Sequence, residues 1–187
     1  QTINKLNLSM VNSNISAITD ATGVQILAPD VSDSTISVEM SSIESEQGSV
    51  IGIYYGDQWD PYSFSSLTNS EIEFVGILNS QASSGYYPSS GILLGLGEFE
   101  ITSTTLHADV IANTTSGTLC GIDVNVEYGL LNNVTILNEG ELSSPNIVVF
   151  GVQMRSNSTL EVAMTNVKID SLANLIGSTA IQVNIQF

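Results

Sequence analysis

A glycine followed by a β-branched residue opens an alternating apolar run at Gly23-Val24, Gly52-Ile53, Gly91-Ile92, Gly121-Ile122 and Gly151-Val152, with Ala180-Ile181 in the sixth place. The apolar members stand 29, 39, 30, 30 and 29 residues apart. Four near-equal intervals out of five mark one short unit written repeatedly. Period-two alternation fills each unit and helical periodicity is scarce, so the units are built from short strands. A second alternating series precedes each marker by about half a period: Leu6/Leu8/Met10, Ile36/Val38/Met40, Ile72/Phe74, Leu106/Ala108/Val110, Val134/Ile136 and Val167/Ile169. Small polar pairs sit just before several of these runs, at Asp33-Ser34, Asn69-Ser70, Thr104-Thr105, Asn132-Asn133 and Thr165-Asn166, and supply turn chemistry at a constant phase.

A unit of two or three short strands cannot bury its own apolar face, so units must stack to close a core. Stacking in register places like on like. Ile36, Ile72, Leu106, Val134 and Val167 are expected as one inward ladder, and Val24, Ile53, Ile92, Ile122 and Val152 as another, with neighbours about 4.8 Å apart. Coils of this length, with Ile/Val/Leu ladders and Asn/Ser/Thr corners, resemble right-handed parallel β-helices, the β-solenoid class that includes pectin-cleaving enzymes, phage tailspikes and filamentous adhesins. The expected fold is therefore all-β: one parallel β-helix (β-solenoid) domain over residues 1–187, of about six coils of roughly 30 residues, with a loop insertion around 55–70 and a smaller one around 80–90. A β-sandwich of the pilin or immunoglobulin type competes, since short alternating strands suit it too. It has no reason to repeat a glycine every 30 residues.

Composition narrows the partners. Three basic residues stand against 19 acidic ones, a formal net charge of -16. Neither nucleic acid nor an anionic membrane surface can be held without a basic footprint. Ser, Thr and Asn number 58, so the solvated surface is made of uncharged hydrogen-bonding groups, as expected of an extracellular or cell-surface protein. Glycosylation sequons begin at Asn7, Asn14, Asn113, Asn133 and Asn157. An exported chain is expected to reach Gln1 by removal of a leader. Cys120, the single cysteine, allows no intramolecular disulfide and no thiolate metal site. Its parity matches Ile122 and Val124, which predicts a small buried core residue.

The resemblance implies a search for the chemistry of polysaccharide-cleaving enzymes, which use a basic residue with Ca²⁺ on nearby Asp residues, or clustered Asp residues with a His. None of Lys5, Arg155 and Lys168 lies in an Asp-rich neighbourhood. His107 has only Asp109 close by in sequence and is expected to face solvent, as are Glu98 and Glu100 on an alternating strand. No nucleophile–base pair, phosphate loop or zinc spacing is present. The chain is expected not to be an enzyme and to need no cofactor, with Asp57 and Asp60 as the candidates for Ca²⁺.

Seven of the twelve aromatic residues fall in or beside the two insertions: Tyr54, Tyr55, Trp59, Tyr62, Phe64, Tyr86 and Tyr87. With Asp57 and Asp60 they form the candidate binding or assembly set, since aromatic rings serve as interface anchors and as stacking platforms for sugars, and the alternative is a local hydrophobic cap beneath the long loop. The chain opens and closes on alternating runs, with no amphipathic helix written over either, so subunits are expected to stack end to end, or the chain to be one part of a longer molecule. The expected function is a non-enzymatic extracellular structural protein, a subunit of a surface fibre or matrix that partners itself head to tail or joins other surface components. The alternative is a surface adhesin or carbohydrate-binding module whose aromatic loops hold polysaccharide.

Overall fold

The computed structural model describes residues 2–56, 64–81, 89–95, 98–114, 118–125, 128–143, 149–156, 162–171, 174–176 and 179–185. The chain makes six passes. The first three are β1 (Thr2–Asn4), β2 (Asn7–Ala17) and β3 (Ala21–Ile26); β4 (Asp30–Ser32), β5 (Thr35–Ser45) and β6 (Val50–Tyr55); and β7 (Phe64–Thr68), β8 (Glu71–Ser80) and β9 (Ser89–Gly95). The fourth and fifth are β10 (Glu98–Thr102), β11 (Thr105–Thr114) and β12 (Leu119–Asn125), then β13 (Tyr128–Asn132), β14 (Thr135–Ser143) and β15 (Val149–Ser156). The sixth is β16 (Val162–Thr165), β17 (Lys168–Ser171), β18 (Asn174–Ile176) and β19 (Thr179–Ile185).

Equivalent strands of successive passes pair in parallel and build three sheets. A short-strand sheet runs β1-β4-β7-β10-β13-β16, and a long-strand sheet runs β2-β5-β8-β11-β14-β17, with β18 also on β14. A third sheet, which carries the marker glycines, runs β3-β6-β9-β12-β15-β19. This is a parallel β-solenoid, not a sandwich of antiparallel sheets. The second to fifth passes have neighbours above and below, whereas the first and sixth are paired on one side only among the described residues. The six expected coils thus resolve into four enclosed turns between two terminal ones.

The marker glycine has a steric cause. In the third sheet the register runs Thr22↔Ile51 and then Val24↔Ile53, so Gly23 and Gly52 are skipped, and Gly91, Gly121 and Gly151 are skipped likewise. A Cβ on Gly23 would lie 2.6 Å from the Gly52 carbonyl oxygen, one on Gly52 2.5 Å from that of Gly91, and one on Gly91 2.8 Å from that of Gly121. These three glycines therefore leave the space that the next coil's carbonyl fills, whereas at Gly121 the Asn138 amide fills it. The column ends at Ala180, the only member with a side chain and the one with no described coil beyond it.

The same skip reverses a parity read from sequence. Leu119, Ile122 and Val124 enter the central cluster, but Cys120 does not. It stands in the register column of Ile51, Ser90 and Phe150, on the opposite face of the sheet, and is buried there. Counting in twos across Gly121 puts Cys120 on the wrong side.

One inward ladder is as expected: Val24, Ile53, Ile92, Ile122 and Val152 follow one another in register, and Ile181, 38% exposed, pairs next on the terminal coil. The other needs a correction. Leu8, Ile36, Ile72 and Leu106 continue into Ile136 and Ile169, not Val134 and Val167. The cause is the corner before it, where Lys5, Asp33, Asn69, Ser103, Asn133 and Asn166 all take the left-handed conformation, with φ between 47° and 60°. Asn and Asp tolerate that region best among residues with a side chain. The residue after it is Ser34, Ser70 or Thr104 in the middle coils, and Val134 or Val167 later.

Those hydroxyls close the corner. Ser34 Oγ donates to the Ser32 carbonyl at 2.7 Å and accepts from Leu6 N–H at 3.1 Å, while Ser70 Oγ donates to the Thr68 carbonyl at 2.8 Å and accepts from Ser34 N–H at 3.2 Å. Backbone groups that leave one sheet before entering the next are thereby satisfied. The corner ladder continues outside, with Asn69 Nδ2 donating to Asp33 Oδ1 at 3.3 Å.

Tyr55 crosses this interior. Fully buried, it points its hydroxyl at the Ser66 and Pro29 carbonyls, 2.9 and 3.3 Å away. Burial first, and the Asp30 carboxylate second, push its ionisation well above the ordinary value of 10.0. The folded chain then keeps a proton that the unfolded chain releases, so this contribution is complete below about pH 10 and is lost as the solution becomes more alkaline. Tyr55→Phe should cost about 1 kcal/mol at neutral pH, through two carbonyls that lose a donor, and should flatten the alkaline decline. Urea midpoints measured against pH for both proteins check this, and equal alkaline slopes would assign the decline to another group.

Candidate functional site

Two surfaces outside the core are built from stacked polar side chains. The first is the outer face of the long-strand sheet, which carries Glu39, Glu71, Glu73, Asp109, Glu139 and Glu141. His107 sits among them with Nδ1 3.2 Å from Glu73 Oε1 and Nε2 3.0 Å from Glu139 Oε2. Ser37 Oγ donates to the other Glu73 oxygen at 2.8 Å, so one chain of contacts ties the second, third, fourth and fifth passes. His107 does lie on the outer face, but its side chain is only 22% exposed, and its partners come from neighbouring coils rather than from Asp109. Strand spacing brings together residues more than thirty positions apart. Lys168 pairs with Asp170 at 2.7 Å on the same sheet.

The second surface is a groove of about 330 Å³ where the long-strand sheet turns toward the third sheet. Ser16, Glu44, Asn79 and Asn113 line it as one register column over four successive passes. Glu46 and Gln81 lie two residues further on, and their backbone N–H groups carry the ladder into the corner by donating to Ala17 and Ser45 carbonyls. Beneath the groove, Ser45 Oγ donates to the Thr19 carbonyl and accepts from Gly48 N–H, and Ser80 Oγ donates to the Gly48 carbonyl, so its floor is tied down. The side chains of Glu44, Glu46, Asn79 and Asn113 have no hydrogen-bond partner among the described residues.

Of the aromatic set, Tyr55 is committed to the core as above. Tyr54 is 3% exposed and packs with Ile51 and Leu93 on the other face of the third sheet. Neither ring is a surface platform. Phe64 opens β7 and pairs in register with Glu98, and its side chain, like those of Asp57, Trp59, Asp60, Tyr62, Tyr86 and Tyr87, lies outside the described residues. Four sequon asparagines, Asn7, Asn14, Asn113 and Asn133, are exposed, while Asn157 lies outside the description. Asn133 holds a left-handed corner and Asn113 lines the groove. Among the described residues no three His, Cys, Asp or Glu side chains converge as a metal set.

Sequence reasoning passed over the groove column and two buried polar residues. Asp123 is fully buried on the outer side of the third sheet, in register with Leu93. Asn138 is fully buried on the inward side of the long-strand sheet, in register with Ala108. Asn138 two residues after Ile136 could have been read as inward from parity alone. The burial of Asp123 has no sequence signal, since its parity is outward.

The architecture defines the class, a parallel β-solenoid. No family model, curated protein or solved structure matches the chain.

Proposed function

We propose that the protein is a non-enzymatic structural solenoid of an extracellular fibre or matrix, joined to its neighbours through a terminal coil. The observation that carries this reading is a contrast between adjacent coils. Leu8 and Ile15 of the first pass are only partly buried against the core, whereas their register partners Ile36 and Ile43 are 0% exposed. Ile3, Met10 and Val24 are partly buried in the same way. The first coil thus offers an apolar floor edged by strands paired on one side, a surface that accepts another coil. The uncharged Ser, Thr and Asn surface and the sequons support export.

Leu8→Lys combined with Met10→Lys places two charges on that floor while leaving the enclosed turns intact. End-to-end particles in negative stain should then need about tenfold more protein to form, a shift of about 1.4 kcal/mol. With a net charge of -16, association of the native protein should strengthen toward acid and with Ca²⁺. A native protein that stays monomeric at every concentration, pH and Ca²⁺ level would remove the reading.

A further inference from the structure

The groove at the edge of the long-strand sheet runs along the solenoid axis rather than across the apolar floor of the first coil, and its chemistry points elsewhere. Its column of Ser16, Glu44, Asn79 and Asn113 runs along the solenoid axis, one side chain per coil, at a spacing of about 4.8 Å. Beneath Glu44 and Asn79 the backbone is paired on both sides, and the one open edge, at β2, runs across the axis, so an extended peptide laid along the groove finds no strand edge to pair with. Nor does the lining offer a large apolar side chain to anchor a hydrophobic segment, since Ala17 is its one apolar member. What the groove does present along the axis is a hydroxyl, a carboxylate acceptor and two amides that both donate and accept, in that order. The side chains of Glu44, Asn79 and Asn113 have no partner among the described residues, and the fixed floor of Ser45, Gly48 and Ser80 holds their spacing.

A ligand suited to this strip repeats along its length at about the rung spacing and carries many hydroxyls. It also lacks negative charge, because Glu44 and Glu46 face it on a protein that is already strongly acidic. We infer that the groove binds a neutral, hydroxyl-rich polysaccharide laid along the solenoid axis, with Glu44 and Asn79 as its central contacts. A pyranose unit has about the length of one rung, so successive sugars meet polar side chains at the same register position on successive coils. Asn113 belongs to a sequon and lines the same groove, so a glycan attached there would compete for the site.

Native gel electrophoresis with hydroxyethyl cellulose, xylan or polygalacturonate cast into the gel tests the inference on the whole chain. The two neutral polymers are expected to retard the protein and the polyanion to leave its mobility unchanged. Glu44→Ala combined with Asn79→Ala, both at the rim of the fold, should weaken retardation about tenfold or more with no change in melting temperature. The Leu8→Lys, Met10→Lys protein should be retarded like the native chain, which separates this site from the assembly face. Absence of retardation by both neutral polymers, equal retardation by polygalacturonate, or an unaffected double variant would each overturn the inference. So would stoichiometric Ca²⁺ binding in equilibrium dialysis that disappears in the double variant without any glycan retention, which would make the groove a cation site.

Discussion

Gly52→Ala is expected to destabilise the chain by about 3 kcal/mol or more, the top of the range for overpacking a well-filled core. The added methyl would lie 2.5 Å from the Gly91 carbonyl oxygen and 2.5 Å from two ring carbons of Phe74. Phe74 is fully buried and cannot swing aside, and the carbonyl belongs to the backbone of the next coil. Relief therefore requires the second and third coils to part at this point, which loosens the ladder hydrogen bonds on either side. Ile53→Val, one residue away, removes a methyl group from the adjacent ladder and should cost only about 1 kcal/mol. Urea midpoints for the two variants, with strand content followed by circular dichroism, separate the cases. A cost below that of Ile53→Val would mean that the glycine column is not held in close contact.

The glycine column is also where the sequence was most informative. Close approach of backbones leaves a trace in one-letter code, because only glycine fits, and the register of the third sheet follows from it at Val24, Ile53, Ile92, Ile122 and Val152. What the trace hid was the cost to parity. A skipped residue inverts the faces on either side of it, so Cys120 could not be placed by counting in twos. The corners were legible as corners but not to the residue, because polar side chains occupy both the left-handed position and the one after it. Ser103 takes that conformation where Thr104-Thr105 was the expected pair, and Val134 fills a place that Ser34 and Ser70 hold elsewhere.

The site was harder to read than the fold. Tyr55 was legible in principle, as it stands two residues after the inward Ile53, yet a run of aromatic residues beside an insertion invited a surface role. The groove column could not be read at all. Register shifts near Met10–Asn14 and between Met40 and Ile43 break the count along β2 and β5, and Asn79 and Asn113 look like any other asparagine in a chain that is rich in them. His107 shows the same limit, since Glu73 and Glu139 reach it across coils.

Asn138 sets the second large effect, in the opposite direction. Its amide oxygen and nitrogen are both buried without a hydrogen-bond partner among the described residues, on an inward column that Met10, Val38, Phe74 and Ala108 fill before it. A buried polar group left unpaired costs about 1–3 kcal/mol, whereas an apolar group of the same shape removes that cost. Leucine branches at the same carbon as asparagine. Asn138→Leu is therefore expected to stabilise the chain by about 2 kcal/mol, less whatever the slightly larger side chain loses against Gly121. That glycine already leaves the room Asn138 occupies, since a Cβ there would overlap the amide. Ser171 lies next in the column, and its hydroxyl is buried with no partner among the described residues, so Asn138→Leu with Ser171→Ala should extend the gain. A rise in the urea midpoint at unchanged slope checks the first variant. A fall would mean that the amide and the hydroxyl share a bound water, whose hydrogen bonds are then worth more than the apolar contact that replaces them.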